Sequence, residues 1–425
     1  MKEVSVHTQQ AYRALFAILL LTLLSVAGIA MPYPILSPLM LGDTANALNQ
    51  FLGLPPKLLL AVLLSGYPLG MLVGSSFIGS LSDVYGRKNT LLVSTICSGL
   101  SYFATALAIY YQQYVLLLCA RIITGMCEGN VSVGRSISVD LHPVIDKTRS
   151  LSWIYAVTYS GWLLGPLAGG YLMQFGAETA FIIAGMLMVL ALGTVVFFIQ
   201  ETNTNKRAPD KLNQASQGQQ SIWALAVRNN SFTLLRRKTM RHVFFLYLFV
   251  MLGLNAFYEY YAVWLVETFN YDSIGIGHTT ATLTLFMIIV SALIVERAKQ
   301  WLGMRHVISF GLALFAVTLY CSVWVEQATL VWFFASCGAA ISLFNALLPL
   351  FFSESVSSDE QGKLFGLTTS TFCLGSFSIA LVGGAISLIG AVWTIVSGGI
   401  FITIGLLYFN WFATHIAASP SPANQ

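Results

Sequence analysis

Long runs without a single charged side chain constrain this sequence more than any other feature. Leu15 to Leu36, Leu58 to Ile78, Thr90 to Tyr110 and Ala180 to Ile199 contain no Asp, Glu, Lys or Arg. About 20 apolar residues are enough for a helix to cross the hydrocarbon core of a bilayer. A soluble domain has to cover itself with charge, and this chain cannot. Of its 425 residues 56% are hydrophobic and 9% charged, with a mean hydropathy of +0.75, where a soluble chain carries roughly 25% charged residues. The sequence is that of a polytopic membrane protein whose solvent is the lipid bilayer.

Twelve spans are expected, near 14–36, 58–80, 90–110, 113–135, 150–174, 179–199, 242–267, 276–295, 305–325, 328–351, 363–388 and 391–414. Each must satisfy its own backbone hydrogen bonds in lipid, so each is a helix. A β-barrel would show short alternating segments instead. Lys2 and Arg13 precede a first apolar run too long for a cleaved leader and without a clear small-residue cleavage site, so it is taken as a retained span.

Basic residues set the orientation. With the N-terminus inside, all of the 21 Lys and Arg except Lys57 and Arg121 fall in cytoplasmic loops or at cytoplasmic helix ends. Lys57 lies outside and Arg121 within a span. Outer loops carry Asp43, Glu178, Glu267, Asp272 and Glu326. This is the positive-inside pattern, with both termini cytoplasmic. It also accounts for the formal net charge of +4 and leaves no support for a nucleic-acid partner.

The chain divides in the middle. Residues 1–200 form a first six-helix half, 201–241 a polar cytoplasmic linker, 242–415 a second half and 416–425 a cytoplasmic tail. Gly161, Gly169 and Gly170 of span 5 recur in span 11 as Gly375, Gly383 and Gly384, each shifted by 214. "WLGMRHVI" (301–308) echoes "VYGRKNTLL" in the first half. Two six-helix halves with weak internal symmetry are the pattern of parallel-repeat transporters, whose substrate site lies between the halves.

The loop between spans 2 and 3 reads Gly79-Ser-Leu-Ser-Asp83-Val-Tyr-Gly86-Arg87-Lys88. It resembles the signature loop of the major facilitator superfamily, with every key position filled. The resemblance implies a fold of twelve helices in two pseudo-symmetric halves. It also implies that Asp83 and Arg87 belong to a charge cluster latching the halves on the inner face, with Asp83 near the start of span 11, where the helix dipole favours a carboxylate. Arg87 is then expected to reach an acid at the end of span 4, and Asp140 is suitably placed. Against this stands an ordinary solvated loop obeying the positive-inside rule.

Span 5 contains Gly161-x-x-x-Gly165-Pro166-x-x-Gly169-Gly170, with Ser152 upstream. Small residues four apart let helices approach closely, and a proline kinks the span. The pattern resembles the antiporter motif of the superfamily's drug:proton exporters, the tetracycline and multidrug type. Plain helix packing is the alternative reading of the same residues.

Span 4 places Arg121, Glu128 and Arg135 seven residues apart, roughly on one helix face and each about 10 Å from the next. Arg121 with Gly125 resembles the span-4 arginine motif of proton-coupled exporters. A charge at the bilayer centre costs at least ~2.5–3.5 kcal/mol, so Arg121 is expected to face the bundle interior or a water-filled cavity. Glu128 is a proton-exchanging group or a static ion-pair partner. Glu259, in "LNAFYEYYAVW" of span 7, is the other intramembrane acid. Asn255 lies one turn before it, and Tyr258, Tyr260, Tyr261 and Trp264 are nearby. Such an acid suits a cationic substrate, or else these aromatics belong to the interfacial belt. Thr22, Ser25 and Tyr33 give span 1 a faint polar face, and Asn345 of span 10 joins the expected cavity. Arg121 suits an anionic product equally well.

Other chemistry lacks its residues. The six cysteines sit in apolar spans without metal-type spacing, no phosphate-binding loop of the G-x-x-x-x-G-K-[ST] form occurs, and the six histidines are scattered. No metal, cofactor or enzymatic constellation is expected, and a channel remains the rival transport class. The expectation is a monomeric secondary transporter of a bacterial cytoplasmic membrane, exporting small organic molecules or drugs in exchange for protons by alternating access. A dedicated exporter of an endogenous metabolite or carboxylate siderophore is the runner-up.

Overall fold

The computed structural model describes residues 2–42, 46–127, 129–201, 231–353, 356 and 361–415. Within these ranges, side chains are described except at 2–7, 75–77, 79–81, 83–84, 129, 131–132, 139, 148, 231–232 and 361–362. Most of the expected linker, the expected tail and Glu128 therefore lie outside the described residues, as does the side chain of Asp83.

Every described element is helical, and the helices group into twelve spans that follow the twelve apolar runs, four of them broken into successive segments. Span 1 comprises Lys2–Ala30 and Tyr33–Leu41, span 2 Pro56–Tyr85, span 3 Arg87–Tyr110, and span 4 Tyr114–Met126 with Gly129–Asp140. Span 5 is Lys147–Leu172, span 6 Ala177–Phe198, span 7 Lys238–Phe269, and span 8 Ser273–Val290 continued through a π turn into Glu296–Leu302. Span 9 is Met304–Cys321, span 10 Leu330–Asn345 with Leu347–Ser353, span 11 Gln361–Ser387 and span 12 Ala391–His415. Among the described residues, 10 helices are long and apolar enough to cross a membrane on length and composition alone.

Helix ends follow local chemistry. Span 5 starts at Asp146, whose carboxylate accepts the Arg149 N–H at 3.0 Å, and span 8 at Asp272, which accepts from Gly275 at 2.8 Å. Span 7 stops at Asn270, left-handed at φ 53°. In span 1 the helix gives way at Met31 and Pro32, because prolines 32 and 34 lack the N–H a continuing helix needs. Span 4 departs from the uninterrupted helix expected over 113–135. Its helix ends at Met126, and the Asn130 N–H bonds to the Cys127 carbonyl at 3.2 Å, an i→i+3 turn tighter than an α-helix.

Contacts divide the chain into two compact units. The first is Met1–Pro32 with Gly66–Asn230, the second Tyr33–Ser65 with Ser231–Gln425. Span 2 thus runs through both, changing units between Ser65 and Gly66. Within the first unit, span 1 packs on spans 5 and 6, and span 3 on spans 4 and 6. Within the second, span 7 packs on spans 11 and 12, and span 9 on spans 10 and 12. Adding six to each number turns one set of pairings into the other, so the repeat suggested by the glycines extends to the packing.

The two "x-x-Gly" turns repeat as well. Gly86 before span 3 and Gly303 before span 9 have φ 96° and 79° with ψ near 150°, conformations that only glycine adopts without strain. Lys88 beyond the first turn donates to the Val196 carbonyl of span 6 at 3.0 Å; Arg305 beyond the second donates to the Asn410 carbonyl of span 12 at 3.4 Å. Val196 and Asn410 are themselves 214 residues apart. Val196 lies in the last turn of span 6, where the dipole is negative, and Asn410 lies one turn inside the end of span 12.

Candidate functional site

Among the described residues of the first unit, Arg121 is a buried charge, 5% exposed. Spans 2 and 4 approach so closely that Gly70 and Gly125 meet backbone of the facing helix. That contact brings the Tyr67 ring beneath the Arg121 guanidinium, 5.3 Å from centroid to Cζ. A cation over an aromatic face is stabilised by about 0.5–2 kcal/mol, more as water is excluded. Beside it, Ser101 of span 3 donates to the Ala120 carbonyl at 2.8 Å and pairs with the Thr124 hydroxyl. Arg135, half-buried in the second segment of span 4, lies over the Tyr155 ring of span 5 at 5.3 Å. Thr22 and Ser25 are buried on span 1, and Gly134 of span 4 faces Ile18 and Thr22.

Span 5 lays its glycines against span 1. Gly161 faces Val26, Gly165 the backbone of Ala27, and Gly169 Met31, while Pro166 and Gly170 are buried in the same helix. A side chain at Gly165 would have to occupy the place of the Ala27 carbonyl.

Among the described residues of the second unit, Glu259 is a buried acid, also 5% exposed. Its Oε1 accepts the Ser376 hydroxyl of span 11 at 2.7 Å. Ten residues separate it from the Phe269 end of span 7, about 15 Å along the axis. Arg121 lies seven residues, about 10 Å, from the Tyr114 end of span 4. Neighbouring polar groups of span 7 are engaged: Asn255 donates to the Met251 carbonyl at 2.8 Å, Tyr260 to the Ala380 carbonyl, and the Tyr258 hydroxyl to Met287 Sδ at 3.6 Å. The Tyr261 hydroxyl pairs with Thr280 at 2.6 Å, and its ring stacks on Tyr33 at 6.4 Å, so Tyr33 falls in the second unit, apart from Thr22 and Ser25. Trp264 is 1% exposed and packs against Phe269 and Phe333. These aromatics form the core of the second unit. Asn345, half-buried, ends the first helix of span 10.

At the loop between spans 2 and 3, Arg87 forms an ion pair with Asp140 and donates to the Ser136 carbonyl at 2.9 Å, tying the start of span 3 to the end of span 4. Glu201, which the sequence reading did not single out, completes this arrangement. Its two carboxylate oxygens accept the N–H groups of Arg87 at 3.0 Å and Lys88 at 3.2 Å. A carboxylate on the first N–H groups of a helix offsets both their lost hydrogen bonds and the positive dipole end. The signal was available: Glu201 is the first charge after the apolar run of span 6 and an acid on a face otherwise rich in Lys and Arg. Gly79 and Asp83 lie in the last turns of span 2.

Comparison with known proteins agrees with this architecture. The Major Facilitator Superfamily model matches residues 18–305. A class H tetracycline resistance protein of Pasteurella multocida is 26% identical over 394 residues, covering 89% of this chain and 93% of its own length. The quinolone resistance protein NorA of Staphylococcus aureus is 23% identical over 331 residues, covering 77% and 80%. Among solved structures, the human organic anion transporter MFSD10 superposes with a TM-score of 0.68 at 19% identity, covering 94% of this chain and 99% of that one. Two internally repeated units, twelve helical spans and a family match over more than half its length lead to one assignment: the chain belongs to the major facilitator superfamily and is a multi-pass membrane protein.

Proposed function

We propose that this protein is a secondary exporter that moves a small organic molecule or drug out of the cell in exchange for protons. The observation that carries the reading is Glu259, a carboxyl group 5% exposed inside a membrane-spanning helix and hydrogen-bonded to the Ser376 hydroxyl. Keeping an acid there is expensive, and a titratable group in that setting is suited to exchanging a proton as its access to water changes. Relatives whose names record tetracycline and quinolone resistance support drug-like cargo. A second reading, export of an endogenous anionic metabolite such as a carboxylate siderophore, is favoured by Arg121, a buried cation held over Tyr67.

Inverted membrane vesicles with an imposed pH gradient test both readings. Accumulation of tetracycline or a fluoroquinolone that collapses with an uncoupler supports drug:proton exchange, and accumulation of only a carboxylate siderophore supports the second reading. Uptake of either that ignores the gradient in wild type overturns the coupling. With Glu259→Gln, concentrative uptake should disappear while downhill exchange continues.

A further inference from the structure

The start of span 7 meets the end of span 12 in a platform of rings. His242 Nδ1 pairs with the Tyr408 hydroxyl at 2.6 Å, and the His242 ring lies 5.4 Å from that of Trp411. Tyr408 also packs on Trp411, and Trp411 stacks on His415 at 5.7 Å. Span 9 fixes this stretch of span 12: Ser309 donates to the Asn410 side-chain oxygen at 2.9 Å, and Arg305 to the Asn410 carbonyl.

Charge at this end of the second unit is one-sided. Arg236, Lys238 and Arg241 are exposed, and among the described residues none of the three forms an ion pair. No Asp or Glu occurs in residues 231–258, 304–325 or 391–425, the stretches of spans 7, 9 and 12 that lead to this end. The positive-inside pattern accounts for cations here, but not for an ordered group of rings beside them. One turn further into each helix the surface becomes apolar. Ile400, Ile404, Leu407 and Trp411 recur at helical spacing on one face of span 12, and all four are exposed. Phe245 of span 7, three residues after His242 and four after Arg241, is exposed as well.

We propose that this end of the second unit binds an anionic phospholipid, with its phosphodiester on Arg241 and His242 and an acyl chain along Leu407 and Ile404. The bond to Tyr408 takes Nδ1 of His242 and leaves Nε2 for a phosphate oxygen. Arg241 adds a forked donor that matches phosphate geometry. Trp411 lies between the polar and apolar parts, the level at which an indole ring settles in a bilayer. A free phosphate would meet the cations and leave the apolar strip bare. A zwitterionic lipid would bring a cationic end to a region without a carboxylate. An anionic lipid satisfies both halves of the surface.

Native mass spectrometry of the full chain in detergent, titrated with palmitoyl-oleoyl phosphatidylglycerol, tests the site. Wild type should retain this lipid, and should bind phosphatidylcholine of the same chains about tenfold more weakly, since its choline meets only like charge. Arg241→Gln should weaken phosphatidylglycerol binding about fivefold, the scale of one cation against an anionic head group. His242→Phe keeps the ring and removes its nitrogens, and should weaken binding about threefold, as the loss of one hydrogen bond does. Leu407→Asn keeps every cation and should weaken it about threefold through the acyl chain. Arg297→Gln, which removes an exposed cation from span 8, should change nothing. In parallel, phosphatidylglycerol should raise the melting temperature of wild type and not that of the Arg241→Gln, His242→Phe double variant, while inorganic phosphate should raise neither. Arg241 is exposed, so Arg241→Gln alone gives the reading if the double variant does not fold. Wild-type affinity in Arg241→Gln, or an equal loss in Arg297→Gln, overturns the site. Equal binding of phosphatidylcholine, or equal protection by inorganic phosphate, overturns the choice of an anionic lipid and the proposal with it.

Discussion

Ser376 of span 11 donates its hydroxyl to Glu259 of span 7 at 2.7 Å, and both residues are buried. A hydroxyl donates to an ionised carboxylate and accepts from a protonated one, so this partner serves both forms of the acid. Removing it takes one donor away from the ionised form. Ser376→Ala should reduce gradient-driven export by about tenfold, the scale of one hydrogen bond to a charged group. Ser376→Thr keeps the hydroxyl and should retain most activity. Equal export by wild type and Ser376→Ala in pH-jumped vesicles would show that the contact has no part in coupling.

At the loop between spans 2 and 3, three side chains fix one helix start. Arg87 pairs with Asp140, while Glu201 receives the N–H groups of Arg87 and Lys88. Glu201→Ala should lower thermal stability by about 1 kcal/mol, the usual loss for an N-cap. Arg87→Ala and Asp140→Asn should each reduce export, and their double mutant should be no worse than Arg87→Ala alone, since the pair is already broken. Strict additivity in a vesicle transport assay would separate the two residues functionally.

How much of this was legible in the sequence depended on distance along the chain. Lipid forces a span to announce itself in about 20 consecutive residues, so the helices were readable one by one. The Arg87–Asp140 contact was anticipated through the family resemblance, because the loop motif is contiguous. Glu201 was missed because its partners lie more than a hundred residues upstream, and no local pattern links a carboxylate to them. Lys57 read only as an exception until Glu267 and Ser387 stood beside it. Near Glu259 the chain neighbours give no sign of their partners: Trp264 packs on Phe333 of span 10 and the Tyr261 hydroxyl meets Thr280 of span 8, contacts made across the sequence. The turn at Cys127 was hidden because apolar periodicity carries no mark of a single tightened hydrogen bond.

Close helix approach makes a ranked prediction about glycines. Gly165 of span 5 abuts the Ala27 backbone, and Gly338 of span 10 abuts the Leu283 carbonyl. Gly193 of span 6 has nothing within 4 Å of the place a Cβ would take. Backbone cannot move aside as a flexible side chain can, so Gly165→Ala and Gly338→Ala should each cost about 1–3 kcal/mol. Gly193→Ala should be neutral or slightly stabilising, since alanine is the better helix former. Thermal denaturation in detergent checks the order, and an equal loss at all three positions would refute it.

Arg121 offers the sharpest separation of charge from shape. The guanidinium lies over the Tyr67 ring, its Cζ 5.3 Å from the centroid, a contact that suits a planar, delocalised cation. Lysine keeps the charge but is a compact, strongly hydrated point that gains less from the ring face. If Arg121 serves only to balance charge inside the first unit, Arg121→Lys should behave nearly as wild type. If the oriented guanidinium also meets the cargo, Arg121→Lys should raise the KM for export by about tenfold, as the loss of a forked contact to an anion or acceptor group does. The second outcome is the one the anionic-cargo reading expects. Tyr67→Leu, which removes the platform and keeps the arginine, should then shift KM in the same direction by about two- to fivefold, the span of a partly shielded cation–π contact. Transport kinetics in inverted vesicles distinguish the cases, because a purely structural defect lowers the amount of active protein and so the maximal rate, leaving KM where it was.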